Sequence, residues 1–202
     1  MGRPREFDLD AALAAAEELF WRKGYDGTSL SDLTSAMGIF PPSFYFAFKS
    51  KERLFEDVLE RYMSGHMAYV GEALNAPTAR AVAERLLYGM ADSLTDPSCP
   101  PGCLAINNSM PAAGTQHPVR LKLAELRREL QAMLKSRFMR GVEDGDLCGD
   151  ADPEALARFI LTVGWGMGIE AQSGATRDQL RVTVALTLKA WPESLAAGDL
   201  GS

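Results

Sequence analysis

Apolar residues return every three or four positions along most of this chain, the period of helices packed on one another. Leu9, Ala12, Leu13, Ala16, Leu19 and Phe20 make the first stripe, opened by an Asp8 or Asp10 cap and stopped near Gly24. Leu30, Leu33 and Met37 make a second on a segment of roughly two turns. Thr28 and Ser29 offer hydroxyls to its first N–H groups, and Asp32 follows Ser29 at capping-box spacing. Gly38 suits the left-handed residue that stops a helix, Ile39 plugs the turn, and Pro41 and Pro42 suit first-turn positions where no N–H is needed. That next helix, Pro41 to about Phe46, is very short. Ser50 caps another, with Leu54, Phe55, Val58 and Leu59 inward, and it is expected to run unbroken to Leu74 as a lever before Pro77.

Further helices are expected over Thr78 to Leu94, Gly102 to Met110, His117 to Val142, Pro153 to Gln172 and Thr176 to Trp191. Asp152 before Pro153 is a cap followed by a first-turn proline, and Thr176 with Gln179 has capping-box spacing. No alternating β pattern competes, so the class is all-α with about nine helices. Breaks are expected at Asn75 to Thr78, Thr95 to Gly102, Ala112 to Pro118 and Gly141 to Ala151. The 202 residues suffice for a sizeable core in two domains, read as 1–55 and 56–202, joined through a rigid helix rather than a flexible linker.

No apolar run reaches the roughly eighteen residues of a membrane span, and Met1 to Asp10 is polar and mixed in charge, which leads us to expect a cytoplasmic protein without a membrane partner. Cys99, Cys103 and Cys148 are odd in number and lack paired zinc-site spacing, so no disulfide framework, metal or other cofactor is expected. The net charge of −6 does not suit a general polyanion binder, and residues 1–55 hold seven Lys and Arg against eight Asp and Glu. The positive groups are nonetheless local: Arg3, Arg5, Lys49, Lys51 and Arg53 lie at the tail and around the short helix.

The run Gly24, Tyr25, Thr28, Ser29, Leu30, Asp32, Leu33, Ala36, Gly38, Ile39, Ser43, Tyr45, Phe48, Ser50, Lys51, Glu52 and Leu54 resembles the N-terminal signature of the tetracycline-repressor (TetR) family of bacterial transcription regulators. A weaker likeness to the last two helices of one branch of that family spans Gly168 to Gln179 and Ala190 to Pro192. The resemblance implies a three-helix helix-turn-helix DNA-binding domain and a helical ligand-binding and dimerisation domain. It implies a homodimer on palindromic double-stranded operator DNA, most simply a repressor, released by an unidentified small-molecule effector. Thr28, Tyr45 and Lys51 would then hold phosphates, with Ser29 and Lys49 beside them, while Ser43, Phe44 and Phe46, flanked by Pro41 and Pro42, would meet base edges. Phe40 departs from the family, which usually has a small polar residue there. Phe40 and Phe46 either meet a thymine methyl or pack in the head's core.

Dimerisation falls on Ala157, Gly164, Gly168 and Ala171, small residues that permit close approach, and on Leu180, Val184 and Leu188 of the next helix; the alternative for the glycines is packing within one subunit. An apolar effector pocket is expected among Tyr62, Met63, His66, Met67, Leu87, Met90, Cys103, Ile106, Asn107 and Met110, residues that also suit ordinary core. Cys103, after Gly102 at an expected helix start, is a candidate for a lowered thiol pKa and for sensing electrophiles or oxidants, as in some family members, or else a buried inert thiol. No catalytic residue is assigned. Two other classes remain: a cysteine enzyme pairing Cys103 with His66 or His117, and a helical small-molecule-binding or thiol-based redox protein without sequence-specific DNA binding.

Overall fold

The computed structural model describes residues 8–109 and 117–192. Among them lie ten α-helices and no strand: α1 Leu9–Lys23, α2 Leu30–Met37, α3 Pro41–Phe48, α4 Lys51–Ser64, α5 Tyr69–Leu74, α6 Ala79–Leu94, α7 Leu104–Asn107, α8 Pro118–Glu143, α9 Pro153–Gln172 and α10 Arg177–Lys189. The all-α class stands, with one helix more than the sequence suggests, and capping explains most boundaries. Asp8, Ser50, Thr78 and Asp152 each accept a first-turn N–H, and Ser29 and Thr176 complete full capping boxes.

The extra helix corrects the expected lever. The segment from Ser50 to Leu74 is broken at 65–68, where the Gly65 N–H closes α4 on the Arg61 carbonyl and the Ala68 N–H turns back to Gly65. Gly65 is a poor helix former, but Gly71 is accommodated inside α5, so propensity alone does not place the break. Beyond it α5 lies along α6, where the Tyr69 ring fills the space above Gly89; a Cβ at Gly89 would fall 2.5 Å from that ring. The helix expected over Gly102 to Met110 shrinks to the single turn α7, and Met110 lies outside the described residues.

In the head, α1 packs on α2 and α4. Phe20 is fully buried, edge-on to Phe55 at 5.1 Å and stacked with Tyr25 at 5.8 Å, and Leu33, Phe44, Phe48 and Leu54 are buried in the same core. In the body, α6 is buried along its length between α5, α9 and α10, and α8 packs along α9 and touches α4. The buried apolar residues form one continuous cluster, so head and body share a core through Trp21, Tyr62 and α7.

Candidate nucleic-acid interface

The candidate interface is built around α3, and its orientation is fixed on both sides. Upstream, the Ser29 hydroxyl accepts the Asp32 N–H at 3.0 Å while Asp32 accepts the Ser29 N–H at 2.9 Å. The Ser29 bonds and Lys23 at 3.1 Å lower the Asp32 carboxyl from 3.8 to about 2. Gly38, at φ +66°, ends α2 in the left-handed conformation, and Ile39 donates back to the Thr34 carbonyl, so the turn into α3 is tight. Phe40 occupies the cap position of α3 without a side-chain bond, and Pro41 and Pro42 fill the first turn. Downstream, Lys49 takes φ +67°, its N–H on the Tyr45 carbonyl and its ammonium 2.8 Å from the Phe46 carbonyl.

This frame divides the aromatic run. Phe44 and Phe48 point into the core, whereas Tyr45, Phe46 and Phe40 are 51%, 82% and 79% exposed. The outer face of α3 therefore carries Pro41, Pro42, Tyr45 and Phe46, with Ser43 half-buried and Lys49 exposed at its end. Phe44 cannot serve as the expected base contact: at 0% exposure it anchors α3 from behind. Thr28 is corrected too, because its hydroxyl is buried and donates to the Gly24 carbonyl at 2.7 Å, leaving Ser29 as the cap. Lys51 is half-buried, its ammonium 4.1 Å above the Tyr25 ring, and burial lowers its pKa. Burial first, then the Glu52 hydrogen bond, raises the Tyr25 phenol.

Among the described residues, the expected effector set is divided between core and surface. Tyr62, Leu87, Met90 and Cys103 are buried, with Tyr62 donating to the Cys103 sulfur at 3.2 Å. Met90 and Ile106 press on Gly164 and Gly168, and Met67 accepts the Tyr69 hydroxyl. Met63 instead faces an open groove of about 670 Å³ between α4 and α8, lined also by Arg53, Leu59, Lys122 and Leu126. His66 stacks on Tyr62, lies edge-on to Trp21, and has its Nε2 3.5 Å from Glu17 and its Nδ1 3.7 Å from Cys99. The members of the expected enzyme pairing make other contacts: the Cys103 sulfur meets the Tyr62 hydroxyl, His66 faces Cys99, and His117 lies against Tyr25. Burial raises the Cys103 thiol pKa, which favours the buried inert thiol over the reactive thiolate; a single turn of helix does not offset the desolvation.

The expected dimer residues Ala157, Gly164, Gly168, Ala171, Leu180, Val184 and Leu188 are all buried within this one chain. A Cβ at Gly164 would fall 2.5 Å from the Met90 sulfur, and one at Gly168 2.5 Å from Ile106 Cδ1, so these glycines admit neighbours from their own subunit. The opposite faces are apolar and exposed: Phe159 and Ile169 on α9, Val182 and Leu186 on α10.

Sequence reasoning missed the joint between head and body. Asn108 is buried, accepts the Tyr25 N–H at 2.5 Å, and donates to the Phe20 carbonyl at 3.1 Å and to Leu104 at 2.8 Å. Asn107 donates to the Trp21 carbonyl at 3.2 Å. The body thus satisfies the end of α1, a pairing over more than eighty residues that no local pattern announces. Arg61 adds a second tie, donating to Glu17 at 3.0 Å and to Asp10.

Comparison with known proteins agrees with this arrangement. Residues 12–58 match the family described as bacterial regulatory proteins, tetR family, and residues 80–188 match the tetracyclin repressor-like C-terminal domain. The chain is 36% identical over 199 residues to the HTH-type transcriptional repressor ComR of Escherichia coli K12, covering 95% of this chain and 92% of that one. It is 33% identical to the HTH-type transcriptional regulator YezE of Bacillus subtilis 168, covering 93% and 98%. A cysteine-substituted form of the TetR family transcriptional regulator CifR, solved with 26 bp double-strand operator DNA, superposes with a TM-score of 0.89 at 40% identity, covering 95% of this chain and 100% of that one. With both halves matched in sequence and the head built as a helix-turn-helix, this chain belongs to the tetR family of bacterial regulatory proteins and is a DNA-binding regulator of transcription.

Proposed function

We propose that the chain is a cytoplasmic repressor that acts by binding rather than catalysis: as a homodimer it occupies a palindromic operator, and a small-molecule effector releases it. The observation that carries this is the exposed outer face of α3, with Tyr45, Phe46 and Lys49 outward and Phe44 and Phe48 locked into the core behind them. In this reading residues 1–55 form the head and 56–202 the effector and dimer body. The α3 face enters the major groove, the Tyr45 hydroxyl and the ammonium groups of Lys49 and Lys51 hold phosphates, and the exposed start of α2 at Ser29 lies over the backbone. The exposed Phe159, Ile169, Val182 and Leu186 are the faces that a second copy covers, replacing the residues named from sequence. Two copies are needed because so short a helix reads few base pairs, and two heads about 34 to 36 Å apart reach successive major grooves on one side of the duplex.

Release requires only that an effector prefer a conformer whose heads are out of register. A coupling of about 1 to 3 kcal/mol changes occupancy roughly 5- to 150-fold. The ties at Asn108 and Arg61 join α1 to the body and would carry such a change.

Selection from a random duplex pool tests the reading. The expected outcome is a symmetric consensus, loss of binding in Tyr45→Ala, and in Lys51→Ala a weaker affinity with a salt slope lower by about one per phosphate contact removed. Leu186→Glu should separate the dimer and weaken operator binding while the single subunit stays folded. No enrichment of any sequence would refute the proposal.

A further inference from the structure

The outer face of α3 is unusual in what it lacks. From Phe40 to Phe48 the sequence is FPPSFYFAF, with no Arg, Lys, Asn, Gln, Asp or Glu. The strong base-edge pairings, Arg or Lys to guanine, Asn or Gln to adenine, and a carboxylate to cytosine, all require one of those side chains. What the helix presents instead is two almost bare phenyl rings, Phe40 and Phe46, beside two prolines and the hydroxyls of Ser43 and Tyr45. Lys49 follows the last residue of α3, its ammonium turned back along the helix 5.4 Å over the Phe46 ring, and is assigned above to a phosphate rather than to a base. The major-groove feature that an apolar side chain can recognise is the C5-methyl group of thymine.

We propose that this regulator specifies its operator by thymine methyl groups, with Phe46 as the specificity-determining residue. This rests on the DNA-binding reading above and adds which base is read and by which contact. Phe46 is 82% exposed, so its ring is open to be covered by the duplex. Phe40, at the start of the same helix, widens the apolar edge but is not required for the effect.

The test uses the duplex recovered by random-pool selection, with each thymine replaced in turn by deoxyuridine, which removes the methyl and leaves the Watson–Crick edge unchanged. Binding is read by fluorescence anisotropy for the full-length protein and for Phe46→Ala and Phe40→Ala. At one thymine per half-site we expect about fourfold weaker binding, and about fifteenfold when both half-sites are replaced, the value of burying one methyl-sized group per site. In Phe46→Ala the thymine and uracil duplexes should bind alike, because the substitution removes the partner of that methyl. Phe46 is solvent-exposed, so this variant retains the head's fold, verified by its circular dichroism spectrum. Equal binding of both duplexes by the unsubstituted protein would overturn the proposal while leaving DNA binding intact. A uracil penalty undiminished in Phe46→Ala, or abolished only in Phe40→Ala, would overturn the assignment to Phe46. Failure to recover any sequence would instead refute the DNA-binding reading itself.

Discussion

Asn108→Ala removes the central bond between body and head, and the structure sets the size of the effect. The side chain serves three backbone groups: the Tyr25 N–H and the Phe20 and Leu104 carbonyls. The two carbonyls keep other donors, since Gly24 N–H bonds to Phe20 at 3.1 Å and Asn108's own N–H bonds to Leu104 at 3.2 Å. The Tyr25 N–H keeps no such substitute among the bonds described, and a buried unpaired donor costs about 1 to 3 kcal/mol. Adding the reduced worth of the two lost donations gives about 2 to 4 kcal/mol, or roughly 5 to 15 °C in Tm for a chain of this size. Guanidinium denaturation followed by circular dichroism measures it. Asn108→Asp separates polarity from size, because it keeps an acceptor for Tyr25 but turns a carboxylate toward two carbonyl oxygens. Its folded pKa must rise above the ordinary value of about 3.9, so its stability relative to wild type is best below that pH and falls as pH rises toward 7. An Asn108→Ala loss under about 0.5 kcal/mol, the range of ordinary surface substitutions, would refute the account, as would an Asn108→Asp deficit independent of pH.

Other outcomes follow from local geometry. Gly89→Ala should destabilise by about 1 to 3 kcal/mol, because its Cβ meets a rigid Tyr69 ring, whereas Gly164→Ala meets only the mobile end of Met90 and should cost clearly less; thermal melts compare them. Ser29→Ala should cost about 1 kcal/mol through its lost cap. The Asp32 partner of that cap has a depressed folded pKa, so its contribution is present above the unfolded value of 3.8 and is lost as pH falls through about 2, read as the difference between acid titrations of wild type and Asp32→Asn. Timed alkylation with mass spectrometry should label Cys99 and Cys148 before Cys103, whose thiol is buried and raised in pKa; earliest labelling at Cys103 would refute that burial argument.

The sequence by itself determined what depends on neighbours within a few residues. The caps at Ser29, Ser50, Asp152 and Thr176, the Gly38 stop and the prolines opening α3 act within about one turn, so the helix-turn-helix and the all-α class were legible from their spacing. Tertiary structure alone decided which face of each helix turns inward. Both edges of α9 carry apolar and small residues, and only the position of α6 and α7 shows that Gly164 and Gly168 receive Met90 and Ile106 while Phe159 and Ile169 stay outside. In α3 five of eight residues are apolar apart from its prolines and serine, so periodicity could not separate buried Phe44 from exposed Phe46. The break at Gly65 and the clasp of Asn108 on α1 rest on contacts made across the fold, α5 lying on α6 and an amide meeting backbone groups more than eighty residues away, and no local pattern encodes such distances.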